Sequence, residues 1–308
     1  MALIDNVGKY KMLDTEISKA FQAGIEETQD DMQMLYVDVP SGNKQTAYNF
    51  FEHTPGFREL GYDEPKVMRN LSRNEYVITN KHFEDTIRIN EDDFEDDNFG
   101  MYPMQAKQIG ELAKKIKSER TGALLNGAFS TTTTYDGSAW CANSHTLGVS
   151  TINNLMTDAL DADAFEAAYN MLLGLTVQPD IESKARKLNG RKKLALVVPP
   201  ELELTARKIV EVKTLSTGGE NIYAKLNVEI VVNDYDDSSG KYWFLMNIGG
   251  AVKPIFWQNR KSPVLRSNVG TPNDIERMLR SGIIYTVDVR GEALPTHPWL
   301  IVGSNGTT

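Results

Sequence analysis

The stretch 97–129, DNFGMYPMQAKQIGELAKKIKSERTGALLNGAF, constrains the fold of this chain more than any other. Apolar or small residues recur at Ile109, Leu112, Ala113, Ile116, Ala123 and Leu124, while Lys114, Lys115, Lys117 and Glu119 fill the opposite face. That is the helix period, with one stripe for a core and one face for water or a partner. The spacing predicts a helix over 102–126, roughly 37 Å long at ~1.5 Å per residue. Globular helices average about 11–12 residues, so the rest of the chain must be arranged along an unusually long spine. Pro103 suits its first turn, and the acids of 91–97 lie just upstream of its positive end.

A chain of 308 residues has ample length to bury a core around such a spine. No apolar run reaches the length of a transmembrane helix, and the first residues, MALIDNVGKYKMLD, lack the basic-then-apolar layout of a signal peptide. The single cysteine, Cys141, rules out an intrachain disulfide, so synthesis in a cytoplasm is expected. The net charge is −9, from 42 acids against 33 bases. A dedicated nucleic-acid binder carries the opposite excess.

Before the spine, residues 14–28 predict a helix capped by Asp14 or Thr15, with Ile17, Phe21 and Ile25 as a thin apolar stripe. It either folds back on its own domain or lies as an arm on a neighbour. Strands are expected at 34–39, 67–71, 75–79 and 82–89, with an extended run at 45–52 and a hairpin turn at Asn80-Lys81. In the last of these, Phe83 and Ile87 alternate with polar residues, the pattern of a ribbon wetted on one face. Isolated ribbons are marginal in water, so this one is expected to pack on something outside its own core. Six of the seven residues at 91–97 are acidic. They lack the spaced oxygen ligands and turn glycine of a calcium loop, and read as a solvated charge run, a helix-dipole partner or a contact for a basic patch on another subunit.

Beyond the spine a Ser/Thr/Gly-rich loop leads to a helix at 162–173, capped by Asp161, with Phe165, Ala168, Leu172 and Leu173 inward. The segment 184–193, KARKLNGRKK, reads as a solvated hairpin tip around Asn189-Gly190 or as a subunit or DNA contact. The run Leu194-Ala195-Leu196-Val197-Val198 has the composition of a strand buried on both faces. Pro199-Pro200 opens a helix through Glu211, with Leu202, Ala206, Ile209 and Val210 inward. Strands follow at 228–232, 242–246 and 254–257, so 158–257 reads as an α/β unit with its own core. A short helix at 273–280 and strands at 283–289 and 299–302 complete the chain.

No cofactor or metal is expected: His53, His82, His145 and His297 have no partners at metal-ligand spacing, and no phosphate-binding glycine loop occurs. Cys141 and His145, with Asp136 as orienter, make the one imaginable nucleophile pair, and on that basis a cytosolic Cys/His enzyme stands as an alternative. The predominant profile is an acidic α+β protein with an arm, a ribbon and a spine and no active site, which is the profile of an assembly subunit.

Four stretches resemble one family. They are Tyr48-Asn49-Phe50-Phe51 with Pro55-Gly56-Phe57-Arg58-Glu59-Leu60-Gly61; Tyr76-Val77-Ile78-Thr79-Asn80-Lys81-His82-Phe83-Glu84 with Asp96-Asp97 and Gly100-Met101-Tyr102; Leu124-Leu125-Asn126-Gly127-Ala128-Phe129 with Tyr135-Asp136-Gly137 and Ser144-His145; and Leu196-Val197-Val198-Pro199-Pro200-Glu201-Leu202-Glu203. In this order they resemble the major head subunit of Mu-like phages and prophages, a family related to the HK97-type capsid fold. Leu60 stands where the family favours Trp, Tyr62-Asp63 where Glu is usual, and Cys141 where an apolar residue is usual, the marks of a distant member.

The resemblance implies an α+β HK97-like fold: an N-terminal arm (1–40), an extended β-ribbon loop (41–96), a peripheral domain with the spine (97–157), an axial domain (158–268), and a return to the peripheral domain (269–308). It implies a major capsid protein of a tailed phage or prophage that assembles in the bacterial host cytoplasm and resides in the virion. Its partners would be itself, in the hexamers and pentamers of an icosahedral shell, with scaffolding, portal and decoration proteins. The shell would enclose double-stranded DNA without sequence-specific binding and without a membrane. Tyr48, Phe57, Arg58, Phe83 and Ile87 are expected at inter-subunit packing contacts, and Glu91, Asp92 and Asp93 at charged ones. A tail-tube subunit is the alternative within the same class.

Overall fold

Two sheets share one long helix in this computed structural model, which describes residues 2–51, 62, 66, 73–95, 100–178, 185–190, 193–214, 219–269, 271 and 274–307. In chain order, α1 (Ala2–Glu27) leads through a 3-10 turn to β1 (Tyr36–Pro40) and β2 (Gln45–Phe51). Then come β3 (Arg73–Thr79), β4 (Lys81–Asn90), the short α2 (Glu91–Glu95) and the spine α3 (Met101–Asn126). Three short strands follow, β5 (His145–Leu147), β6 (Ser150–Ile152) and β7 (Leu155–Met156), and then α4 (Ala162–Gly174). Next are β8 (Thr176–Val177), β9 (Arg186–Lys187), β10 (Leu194–Val198), α5 (Glu203–Val210), β11 (Val228–Val232) and β12 (Trp243–Asn247). The chain continues with β13 (Ile255–Ser267), α6 (Ile275–Arg280), β14 (Gly282–Pro295) and β15 (Ile301–Ser304).

The spine is present at the expected length, but it buries a different set of residues. Its buried positions are Ala106, Gly110, Ala113, Ser118, Thr121, Gly122 and Leu125, mostly small, while Leu112 and Ala123 face outward. Small residues let neighbouring backbone approach closely. A Cβ on Gly110 would collide with the Phe21 carbonyl oxygen of α1, and one on Gly24 with the Lys107 carbonyl oxygen of α3. Gly122 meets Tyr235 and Asn233 in the same way.

Helix α1 therefore lies on the spine of its own chain, with Ile17 and Phe21 buried there, and it is longer than expected. Asp14 and Thr15 are interior, not caps. The Thr15 hydroxyl donates to the Lys11 carbonyl, and Asp14 Oδ1 accepts from the Ser267 hydroxyl at 2.8 Å. Packing against α3 extends the helix through residues that would otherwise start one.

The four-stranded sheet has the order β1-β13-β14-β4, with β1 parallel to β13 and the other pairs antiparallel. The hairpin expected at Asn80-Lys81 does not form. β3 pairs with β2, and β4 pairs with β14 along its whole length. Asn80 is a junction between two sheets: its side-chain amide donates to the Ser41 hydroxyl and the Asn43 carbonyl, and its backbone N–H to the Lys44 carbonyl. The expected strand at 67–71 lies outside the described residues.

The five-stranded sheet, β11-β10-β12-β15-β7, shows why its strands read as unbroken apolar runs. Leu194, Leu196 and Val198 of β10, with Trp243 and Leu245 of β12, enter one core under α4 and α5. Ala195, Val197, Phe244 and Met246 enter a second core shared with Leu125, Trp140, Tyr36 and Trp257. Period-two alternation feeds a core on each face. Asp161 Oδ1 caps α4 by accepting from the Ala164 N–H at 2.7 Å, as expected, although Leu173 is only half-buried.

Strand pairing cuts across the expected divisions: β1 of 1–40, β4 of 41–96 and β13 of 158–268 share the four-stranded sheet with β14, and β15 of 269–308 sits between β12 and β7. Alternation reveals that a strand is buried and leaves its partner unspecified.

Candidate functional site

The described residues expected at inter-subunit contacts fall at three places on the chain: the β2 ribbon, β4 against the spine, and the acidic run of α2. Tyr48 is half-buried on β2, in an aromatic cluster with Phe50, Phe256, Tyr135 and Trp299, and burial raises its phenol's pKa. Ring centroids of Phe50 and Tyr135 stack 5.4 Å apart, and His297 stacks on Trp299 at 4.0 Å. The inner face of the β2–β3 ribbon is thus seated on its own chain, and the outer face, with Ala47 and Val77, is exposed. Beside this cluster a 450 Å³ hollow opens between the ribbon, His297, Trp299, Arg186 and Lys187. Phe57 and Arg58 lie outside the described residues.

Phe83 and Ile87 are half-buried on β4 and reach the core between the four-stranded sheet and the spine. Arg120 lies over the Phe83 ring at 5.9 Å, and its Nε donates to Glu292 Oε1 at 2.9 Å. Phe83, Ile109, Leu112, Ile116, Val287 and Val289 line an apolar groove of 330 Å³ where β4 and β14 meet α3, rimmed by Glu84, Asp85, Lys115 and Glu119. Among the groove's residues, Leu112 is 61% exposed.

The acidic run divides. Glu91 is occupied within the chain by Arg277, whose Nη2 donates to Oε1 at 2.6 Å, while Asp92 and Asp93 are exposed. In the basic segment, β9 pairs with β8, and Asn189 is buried instead of forming a solvated tip. Its amide donates to the Leu172 and Trp299 carbonyls, and its oxygen accepts from Asn247 Nδ2 at 2.9 Å.

Two members of the imagined nucleophile set do meet. His145 Nδ1 donates to Asp136 Oδ2 at 2.7 Å, with both groups withdrawn from solvent. Burial pushes the Asp136 carboxyl upward, but donation from His145, Thr134 and the Ser138 N–H outweighs it and holds the carboxyl below its ordinary range. Cys141 is enclosed in the second core with Phe244 and Ile301, and burial pushes its thiol far up, away from the thiolate that nucleophilic attack requires. Among the described residues no group of three His, Cys, Asp or Glu is placed to hold a metal ion, and no helix is long and apolar enough to cross a membrane.

Sequence reasoning passed over the buried asparagines. Asn154 Nδ2 donates to the Trp140 and Pro298 carbonyls, each at 2.8 Å, and its Oδ1 accepts from the Ala142 N–H. Asn221 ties the Ile209 and Val212 carbonyls to the loop after α5. The single sequence signal was their position beside loop residues with no apolar pattern.

The sequence model of the family described as Mu-like prophage major head subunit gpT matches residues 10–172, 152–236 and 225–307. The major capsid protein of Escherichia phage Mu is 30% identical over 135 residues, 44% of this chain and 43% of that protein. The chain spans about half the length of the curated relatives it matches. The procapsid of bacteriophage JBD30 superposes with a TM-score of 0.58 at 18% identity, covering 96% of this chain and 74% of that one. The capsid of cyanophage P-SCSP1u does so with a TM-score of 0.60 at 9% identity, covering 88% and 86%. These likenesses show the fold, the expected α+β capsid fold of the HK97 type.

Proposed function

This chain belongs to the family of the Mu-like prophage major head subunit gpT, and from that premise we propose that it is the major capsid subunit of a tailed phage or prophage. Its mechanism is repeated self-association into the pentamers and hexamers of an icosahedral shell around double-stranded DNA. The observation that carries this reading is the family match, which follows the chain in order from residue 10 to 307, through the spine and both sheets. Shell stability then comes from many modest contacts made at once. The net charge of −9 suits a wall that lies beside DNA without adhering to it.

Scaffolding, portal and decoration proteins are its further partners, host cytoplasm the place of assembly and the virion its destination. An N-terminal segment at 1–40, whose helix α1 lies on the spine of its own chain, an extended loop within 41–96, and distinct peripheral and axial parts are the working division, with β4 and β13 counted to the spine's sheet and β15 to the axial one. Tyr48, Phe57, Arg58, Phe83 and Ile87 supply packing to neighbours, and Asp92 and Asp93 supply charge. Electron microscopy of the purified protein, alone and with a co-expressed scaffold, tests the whole reading. Shells or five- and six-membered rings are expected, tubes would point to a tail subunit, and a strict monomer in both preparations would overturn it.

A further inference from the structure

Helix α6 wears its faces the wrong way round for a lone subunit. Its polar side is turned in. Glu276 accepts from Arg88 Nε at 2.8 Å, Arg277 holds Glu91 and donates to the Val269 carbonyl, and Arg88 Nη2 donates to the Arg280 carbonyl at 2.7 Å. Asp274 caps its first turn by accepting from the Glu276 N–H. Its apolar side is turned out: Ile275, Met278 and Leu279 are 74%, 68% and 78% exposed. Spaced i, i+3, i+4, they form the anchor pattern of a helix that lies in an apolar groove. The ion pairs fix the helix before any partner arrives, so little ordering remains to oppose binding.

The chain also presents such a groove, the one floored by Phe83, Ile109, Leu112 and Val289. It cannot be filled by the α6 of the same molecule. β14 runs from Gly282, next to α6, to Val287 and Val289 in the groove, which at ~3.3 Å per residue is roughly 17–23 Å. Among the described residues, the polar tethers of α6 hold it at the far end of that ladder, beside Arg88, Glu91 and Val269. Charge agrees with the pairing. The exposed Arg280, which reaches Glu276 of its own helix only at 3.4 Å, follows the apolar trio, and the groove is bordered by three acids, Glu84, Asp85 and Glu119, against one base, Lys115.

We infer that the apolar face of α6 docks into the β4–β14–α3 groove of a second copy of this chain, with Arg280 against its acidic rim. The contact is heterologous: one patch meets a different patch, and each subunit keeps one free α6 and one free groove for the next. It rests on the self-assembly reading and assigns that assembly a specific pair of surfaces.

Two single-cysteine variants test it, Leu112→Cys in the groove and Leu279→Cys on α6. Both positions are exposed, and native Cys141 is buried and silent toward a maleimide. Particles are assembled from each variant alone and from an equal mixture, then treated with a short bifunctional maleimide. A cross-linked dimer in the mixture, and in neither variant alone, is expected. A dimer from Leu279→Cys alone would show α6 meeting α6 and overturn the inference, as would particles with no cross-link. Leu279→Asp should lower the assembled fraction at least tenfold while leaving the melting of the unassembled subunit unchanged; undiminished assembly overturns the inference too. Absence of particles from the unmodified protein, even with scaffold, would instead defeat the capsid reading itself.

Discussion

His297 and the buried asparagines show where single side chains govern stability. His297 meets the stacked rings of Tyr135 and Phe50 edge-on and is itself stacked on Trp299, and burial lowers its pKa from 6.5 to about 4. A base whose folded pKa lies below its unfolded value favours the folded chain above pH 6.5, and that contribution is lost as pH falls toward 4. The shift corresponds to about 3 kcal/mol between pH 7 and pH 4. His297→Phe keeps the stack and removes the titration, so urea unfolding of the unassembled variant is expected to show a flatter acid limb by that amount. Asn154→Ala strands two buried carbonyls and an N–H, and a loss of about 3 kcal/mol is expected in the same assay. The Asp161 cap was legible because it binds three residues along its own helix. Asn154 was not, because its carbonyl partners at Trp140 and Pro298 meet only in the finished fold.

Elements were legible wherever one local pattern decided them. The spine, α4, β10 and α5 stand close to their expected bounds, since periodicity and capping fix such segments. Pairing was not legible: Asn80-Lys81 carried a turn signal, yet its flanking strands belong to different sheets. The close crossing of α1 and α3 was hidden for another reason, because glycine inside a helix looks like a weakness in sequence. Gly110→Ala makes the distinction measurable. Helix propensity alone would stabilise α3 by about 1 kcal/mol. The collision with the Phe21 carbonyl is expected to outweigh it, for a net loss of about 1–3 kcal/mol by chemical denaturation. A gain in stability would mean that α1 is not held on the spine.

For the proposed assembly, surface charge is a property that ionic strength tunes. Asp92 and Asp93 are free to meet basic residues of a neighbour, whereas Glu91 is engaged by Arg277 in its own chain. If the run contributes to assembly, rising salt should weaken it, with screening strong beyond about 8 Å at physiological ionic strength. The double variant Asp92→Lys/Asp93→Lys should assemble less and lose most of that salt response, read by light scattering. Glu91→Gln should instead lower the melting temperature of the unassembled subunit. Equal salt curves for the double variant and the parent would remove the acidic run from the assembly account. The overall architecture was legible mainly because four short stretches run in a known order; the surfaces that face neighbours were not, since a lone chain offers no pattern that separates a wet face from a waiting one.

The placement of β15 also sets an order for synthesis. β12 and β7 are both made well before residues 301–304, yet β15 is the strand that lies between them. While the chain is still on the ribosome, β7 has no edge to join and β12 has one edge bare. Ribosome-stalled chains ending before residue 301 should therefore be cut by protease within 150–156, and chains extended past 304 with a linker should resist. A subunit interrupted before residue 301 therefore carries an unclosed sheet, open to a protease where the finished chain is shut.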